Sequence, residues 1–127
     1  MTMSRRSPTP TSDTVPQRQL EALLNELGFD VETETLAGTF FLDCYVRELH
    51  MGFEADGPTH DVPKQRQHDA YRDHVIWETH RVPILRVKSL ELEDWDKGLA
   101  TGLLDRVLGF IDSRDDAEAR RAEGNDL

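Results

Sequence analysis

The first apolar pattern along the chain has the period of a helix that is buried on one side. The leucines between residues 20 and 27 recur at i, i+3, i+4 and i+7, which places them on one helical face: Leu20, Leu23, Leu24 and Leu27. Thr14 is a candidate cap, Pro16 suits a first helical turn, and Gly28 suits the end of a helix. The pattern therefore predicts a helix that ends at Gly28.

Three runs typical of β-strands follow this helix. They are VETETL at 31–36, TFFLDCYV at 39–46 and HMGFEA at 50–55. Ala37 and Gly38 separate the first two runs, and the third ends in the turn sequence Asp56-Gly57-Pro58. The spacing predicts an antiparallel meander.

The remaining elements complete an α/β pattern. A polar stretch from about Lys64 to Thr79 has apolar residues on one side and predicts a helix, and RVPILRVK at 81–88 predicts a short strand. A last helix is predicted from about Asp94 to Ile111, with Gly98 and Gly102 weakening it without breaking it. Its apolar face would carry Trp95, Leu99, Leu103, Val107 and Phe110.

The order α-β-β-β-α-β-α predicts an α/β (α+β) domain with a mixed sheet flanked by helices. The domain is expected to cover residues 16–112. The segments 1–15 and 113–127 have few large apolar groups, so we expect a flexible N-terminal tail and a charged, flexible C-terminal tail.

Composition narrows the choice of function. The net charge is −10, which argues against broad, non-specific phosphate binding. Cys44 is the only cysteine, so no internal disulfide can form, and a reducing compartment, the cytoplasm, is expected. No stretch approaches the ~18 apolar residues of a membrane helix, and no membrane partner is expected.

Acidic residues on two neighbouring strands are the main candidates for chemistry. If the hairpin turns between Glu48 and Leu49, Asp43 faces Glu54 across the strand pair with Cβ atoms ~5 Å apart. Asp56 then projects from the same face, because alternate side chains of a strand share a side. Either these are solvated acids on an open sheet face, or they hold a hard divalent cation such as Mg²⁺ or Mn²⁺, which would relieve their repulsion.

Four blocks of this sequence resemble the very-short-patch-repair-like (Vsr-like) branch of the PD-(D/E)XK nuclease superfamily. They are LDCYV at 42–46, FEADGPTH at 53–60, DAYRD at 69–73 and ILRV at 84–87. The resemblance runs from about Pro16 to Ile111, with the four blocks in the family's order. It implies a restriction-endonuclease-like fold and hydrolysis of DNA phosphodiester bonds with Mg²⁺ or Mn²⁺.

The resemblance also assigns the acidic site. It makes Asp43 the metal-binding aspartate, Glu54 the second acidic ligand and the backbone carbonyl of Ala55 a further ligand. Asp56 stands where most of the superfamily has its active-site lysine, and it is a candidate ligand, either directly or through water. His60 matches the histidine after the turn.

The resemblance assigns supporting residues as well. Asp69 and Arg72 match a pair on the second helix, and Arg86 matches the arginine at the end of the last strand. Family members often carry an acid on the first helix. Gln17 stands there in this chain, although Glu21 one turn later could substitute.

In the mechanism that the resemblance implies, a metal activates water and neutralises the developing charge. Because the lysine is missing, His60 is the candidate for proton transfer, with a hydrogen-bonded turn histidine as the equal alternative. Arg66, Arg72 and Arg86 are candidate phosphate contacts. Arg72 could instead pair with Asp69 at i+3, and Arg86 could cap the carboxylates.

The sequence thus favours a metal-dependent DNA endonuclease, acting as a monomer or homodimer. Nicking, repair and structure-selective cleavage remain open, and RNA is the weaker substrate alternative. A competing hypothesis from another class is a non-catalytic nuclease-fold module that binds nucleic acid or a protein partner. The replacement of lysine by Asp56 and the acidic surface favour that alternative.

Overall fold

The computed structural model describes residues 3–5, 14–58, 62–99 and 102–124. Five strands form one sheet in the order β1-β2-β3-β4-β5, with antiparallel pairing except between β4 and β5, which are parallel. This confirms the predicted α/β class with a mixed sheet. The elements are β1 (Met3–Arg5), α1 (Val15–Glu26), β2 (Glu32–Ala37), β3 (Phe40–Val46), β4 (Met51–Asp56), α2 (Pro63–His80), β5 (Ile84–Lys88), α3 (Ser89–Asp96) and α4 (Leu103–Gly124).

Local signals account for the boundaries of the first elements. The Thr14 hydroxyl accepts a hydrogen bond from the Gln17 backbone amide at 3.3 Å and caps α1. The β3–β4 hairpin pairs Val46 with Met51 and Cys44 with Phe53. That register centres the turn between Glu48 and Leu49 and confirms the predicted pairing.

The sheet has an apolar cluster on each face. The first cluster lies under α1, α3 and α4 and includes Cys44, Phe53 and Val87. The second lies under α2 and contains Ala37, Leu42, Tyr45, Ile76 and Val82.

The side chains of β3 do not alternate regularly. In a regular strand Leu42 would share a face with Cys44, two residues away, but it packs in the second cluster together with Tyr45. The change of facing occurs at Asp43. The residue that lies opposite in β2, Glu34, has a left-handed backbone with φ of 53°. This distortion of the strand pair interrupts the regular period of two.

The prediction of one helix from Asp94 to Ile111 is wrong. Helix α3 ends at Asp96 and α4 begins at Leu103, with Gly98 and Gly102 at φ of 76° and 85°. Two glycines with left-handed backbone end one helix and precede the next, so they break the helix rather than weaken it. Leu99 consequently leaves the predicted apolar face and is 64% exposed.

Regular backbone also occurs in the segments that the sequence assigns to tails. Strand β1 lies before α1, and α4 continues to Gly124. Among the described residues, no helix combines the length and the apolar character needed to cross a membrane.

Candidate functional site: a buried cluster of carboxylates and guanidinium groups

The centre of the candidate site is a pair of carboxylates that bond to each other's strands. Glu54 Oε2 accepts a hydrogen bond from the Asp43 backbone amide at 2.5 Å, and Asp43 Oδ2 accepts one from the Ala55 backbone amide at 2.9 Å. The regular β3–β4 ladder ends beyond the pairing of Cys44 with Phe53. There the two carboxylates, instead of backbone carbonyls, accept the hydrogen bonds of the backbone amides. The predicted opposition of Asp43 and Glu54 is confirmed.

Burial makes this pair hard to ionise. The pKa of Glu54 is raised to about 8, first by desolvation and then by the charge of Asp43, while Arg72 acts in the opposite direction. The pKa of Asp43 is raised as well, because desolvation outweighs the hydrogen bond from the Ala55 amide. A cation that approached the pair would favour the ionised forms.

Helix α2 brings Arg72 over this pair. Arg72 Nη2 lies 2.9 Å from Glu54 Oε1, and the same nitrogen donates to the Phe41 carbonyl. Arg72 also lies 3.4 Å from Asp73, its neighbour along the helix. The sequence suggested Asp69 as a partner of Arg72, but Asp69 is not among the described partners of Arg72. The Arg72 side chain points down onto the sheet instead.

Strand β5 contributes Arg86, which pairs with β4 and α2 at once. Arg86 Nη1 is 2.9 Å from Asp56, and Nε and Nη2 bind the two oxygens of Asp73 at 2.8 and 2.7 Å. Asp69 lies 3.5 Å away and also accepts a hydrogen bond from Gln65 at 3.0 Å. Of the two roles proposed for Arg86, the structure shows the one in which it caps carboxylates.

The paired geometry holds Arg86 firmly in its charged form. Burial lowers the pKa of Arg86, but the hydrogen bonds and charge of Asp73, together with the charge of Asp56, raise it above its ordinary value. The guanidinium group therefore serves as a permanent cation between β4 and α2.

Among the described residues, the carboxyl groups of this cluster outnumber its guanidinium groups. Two guanidinium groups, those of Arg72 and Arg86, are surrounded by six carboxyl groups that contact them or act on the central pair: Glu34, Asp43, Glu54, Asp56, Asp69 and Asp73. Like charges at short range in a desolvated setting are costly unless protons or cations offset them. The raised pKa values show that protons can do so, and a divalent cation is the alternative.

The residues fit a hydrated divalent cation better than a fully enclosed one. Within the described part of the chain, no three His, Cys, Asp or Glu side chains stand close enough together to hold a metal ion. Asp56, the predicted third acid, is engaged by Arg86. Mg²⁺ commonly binds through one or two carboxylates and keeps several waters. Asp43 and Glu54 can supply such a pair, and Asp43 Oδ1 has no hydrogen-bond partner among the described residues.

A cleft of about 300 Å³ opens beside the cluster and concentrates basic side chains. Arg66, Lys88 and Arg106 line it together with Arg86 and three aspartates. Arg106 donates to the Arg86 carbonyl at 3.0 Å and pairs with Glu91 at 2.7 Å, which fixes α4 against β5. In a chain of net charge −10, this cleft is therefore a place where basic and acidic side chains are nearly balanced.

Two predicted residues, Gln17 and Glu21, lie away from this centre. Gln17 is buried and Glu21 is half-buried on α1, and no described contact joins either of them to Asp43 or Glu54. His60 lies outside the described residues, so its predicted role in proton transfer stays a prediction.

Four residues of this region were not predicted: Glu34, Asp73, Lys88 and Arg106. Signals for three of them exist in the sequence. Asp73 follows Asp69 by one helical turn, Lys88 follows Arg86 by two residues of a strand, and the Ala37-Gly38 hairpin brings Glu34 opposite Asp43. Arg106 carries no such signal, because its position depends on where the helix breaks.

The chain was compared with family models, curated proteins and solved structures. No family model, curated protein or solved structure matches it.

Proposed function

We propose that this protein is a metal-dependent DNA endonuclease of the cytoplasm, in which Asp43 and Glu54 hold Mg²⁺ or Mn²⁺. The observation that carries the proposal is a pair of carboxylates, Glu54 buried and Asp43 partly buried, that accept hydrogen bonds from each other's strands within a cluster where described carboxyl groups outnumber guanidinium groups. Keeping such a pair lowers stability, so it is best explained by a cation that the pair binds.

The bound ion would supply Lewis acidity and an activated water for phosphodiester hydrolysis. Around it, each residue has a task that its contacts define. Arg72 orients Glu54, and Arg86 binds Asp56 and offsets its charge. The backbone carbonyl of Ala55 is a further candidate ligand, as the sequence resemblance implies.

The basic cleft would hold the DNA backbone. Arg66 is exposed on α2, and Arg106 on α4 is exposed as well. Phosphate contacts of this kind give binding that weakens as salt rises. The basic side chains of this cleft would be the part of a chain of net charge −10 that meets the DNA backbone.

The decisive test is cleavage of supercoiled, linear, branched and single-stranded DNA with Mg²⁺, Mn²⁺ or EDTA. The isosteric variants Asp43→Asn and Glu54→Gln should lose activity at least ~100-fold if these groups hold the metal. Glu32→Gln, on the edge of β2 and paired with Arg47, is the matched control and should cleave normally. Cleavage that survives in both site variants would disprove this assignment.

A non-catalytic module that binds nucleic acid is the second candidate, and one observation favours it. Both buried guanidinium groups are committed to carboxylates of the protein, and Asp56 replaces the superfamily's lysine. In that case no substrate would be cut, while Arg66→Ala and Arg106→Ala would each weaken DNA binding and lower the salt slope by ~1. Anisotropy with labelled DNA in EDTA measures this directly.

A further inference from the structure

Glu34 on β2 has an unusual backbone for its residue type. Its φ is 53°, in the left-handed region that glycine adopts freely and that strains other residues. Flanking pairs place it opposite Asp43, because Thr33 pairs with Cys44 and Thr35 with Leu42. The distortion therefore occurs beside the central carboxylate.

The Glu34 side chain is also buried without a donor. The residue is only 6% exposed, and its Oε1 has no hydrogen-bond partner within the described part of the chain. No ion pair joins it to a described basic residue. A buried acceptor left in this state costs ~1–3 kcal/mol, and more if it is charged. Within the described part of the chain, nothing compensates this cost.

Glu34 lies beside the proposed metal site. The register of β2 and β3 places it opposite Asp43, one of the two proposed ligands. A buried acid with a strained backbone next to another acid weakens the apo protein. A hydrated cation would supply both the charge and the hydrogen-bond donors that Glu34 lacks.

We propose that Glu34 is a third acidic group of the cation site, accepting hydrogen bonds from waters of a divalent ion held by Asp43 and Glu54. This inference rests on the proposed function. A role through water agrees with the finding that no three described side chains form a direct ligand group. It also agrees with the preference of Mg²⁺ for retaining several waters.

One substitution should weaken metal binding without lowering the stability of the metal-free protein. Glu34→Gln keeps the shape of the side chain and removes its charge, so it should weaken Mn²⁺ binding about 10–100-fold, the effect typical of residues that act behind the ligands. In EDTA the same variant should be at least as stable as the wild type, because one buried like charge is gone.

The experiment is calorimetric titration of the full chain with Mn²⁺, with thermal unfolding in EDTA and in Mn²⁺ as a second readout. Asp43→Asn serves as the reference for a lost ligand, and it should bind no Mn²⁺. Glu32→Gln, two residues away on the same strand, should bind like the wild type. Glu34→Gly relieves the positive φ, so it should fold even if the glutamine variant does not, and it should show the same weakened binding.

The outcomes separate the two proposals. If Glu34→Gln and Glu34→Gly bind Mn²⁺ as tightly as the wild type while Asp43→Asn does not, the inference about Glu34 is overturned and the metal site stands. If the wild type itself binds no Mn²⁺ or Mg²⁺, the proposed metal-dependent function fails together with the inference. Weakened binding in both Glu34 variants, with the control unchanged, supports the inference.

Discussion

The face of the sheet under α1, α3 and α4 is closed by apolar side chains, whereas the face under α2 is divided. Half of the second face carries the cluster of Leu42, Tyr45 and Ile76, and the other half carries the carboxylates and guanidinium groups around Glu54. Both faces are buried, but only the burial of the first face avoids the desolvation of charged side chains.

This difference separates stability from function. The apolar face gains free energy in proportion to the area that it removes from water. The charged half gains little, because pairing only offsets the desolvation of its ions. We infer that the first face holds the fold, while the charged half is retained for binding. Substitutions on each face test that division.

The largest effect should come from the apolar face. Phe53 is fully buried in β4 and packs edge-to-face on Phe110 of α4, with ring centroids 5.7 Å apart. Phe53→Ala should lower the free energy of unfolding by about 4 kcal/mol, through lost transfer energy and the cavity left behind. Urea denaturation measures this. A loss below ~1 kcal/mol would mean that this face does not hold the fold.

Removing one guanidinium group should have a somewhat smaller effect. Arg86→Met preserves much of the side-chain volume but leaves Asp56, Asp69 and Asp73 without their shared cation. We expect a loss of about 3 kcal/mol, the low end for a broken buried pair, because the Arg86 side chain is 20% exposed. Lys97→Met, which breaks an exposed i,i+4 pair, is the control and should leave stability unchanged. If the two variants behave alike, the cluster is not a buried network.

The charged half should also make stability depend on pH. The pKa of Glu54 is about 8 in the folded protein against an ordinary 4.5, so its protonated form favours folding. That contribution is complete below the unfolded pKa and is lost as pH rises toward 8. Between about pH 5.5 and pH 7.0, at ~1.4 kcal/mol per pH unit, the wild type should lose about 2 kcal/mol from this group.

The Glu54→Gln variant tests the source of this slope. Urea unfolding in EDTA at the two pH values should show a flatter dependence for this variant, because glutamine does not titrate. Glu48→Gln, which removes an exposed acid in the β3–β4 turn, should follow the wild type. A slope that persists in Glu54→Gln would assign the proton to another group.

How far the sequence predicted this site depends on the range of each contact. The opposition of Asp43 and Glu54 followed from a short hairpin, in which the turn determines the register, and it is confirmed. The partner of Arg86 on α2, Asp73, could not be derived in this way. It depends on how a helix of 18 residues crosses the sheet, which no local pattern encodes.

Backbone conformation set the other limit on prediction. The period of two assigned Leu42 to the wrong cluster, because it assumes a regular strand pair. Glu34, whose backbone is left-handed, breaks that regularity. Because the residue is not a glycine, no turn signal in the sequence marks this position. Gly98 and Gly102 did carry a signal, but helix propensity alone underestimates two glycines that both adopt positive φ.

The smallest predicted effect lies in the apolar half of the α2 face. The Tyr45 hydroxyl is 2.8 Å from His50 Nδ1, and His50 Nε2 is 2.9 Å from the His80 carbonyl. Because a carbonyl only accepts, Nε2 donates, so in the neutral ring Nδ1 accepts and Tyr45 is the donor. Tyr45→Phe should therefore cost about 1 kcal/mol, the net value of one hydrogen bond. Tyr71→Phe, at an exposed tyrosine of α2, is the matched control and should cost nothing measurable. Nitrogen chemical shifts of His50 would report the tautomer, and equal stability of the two variants would show that water replaces the hydroxyl without loss.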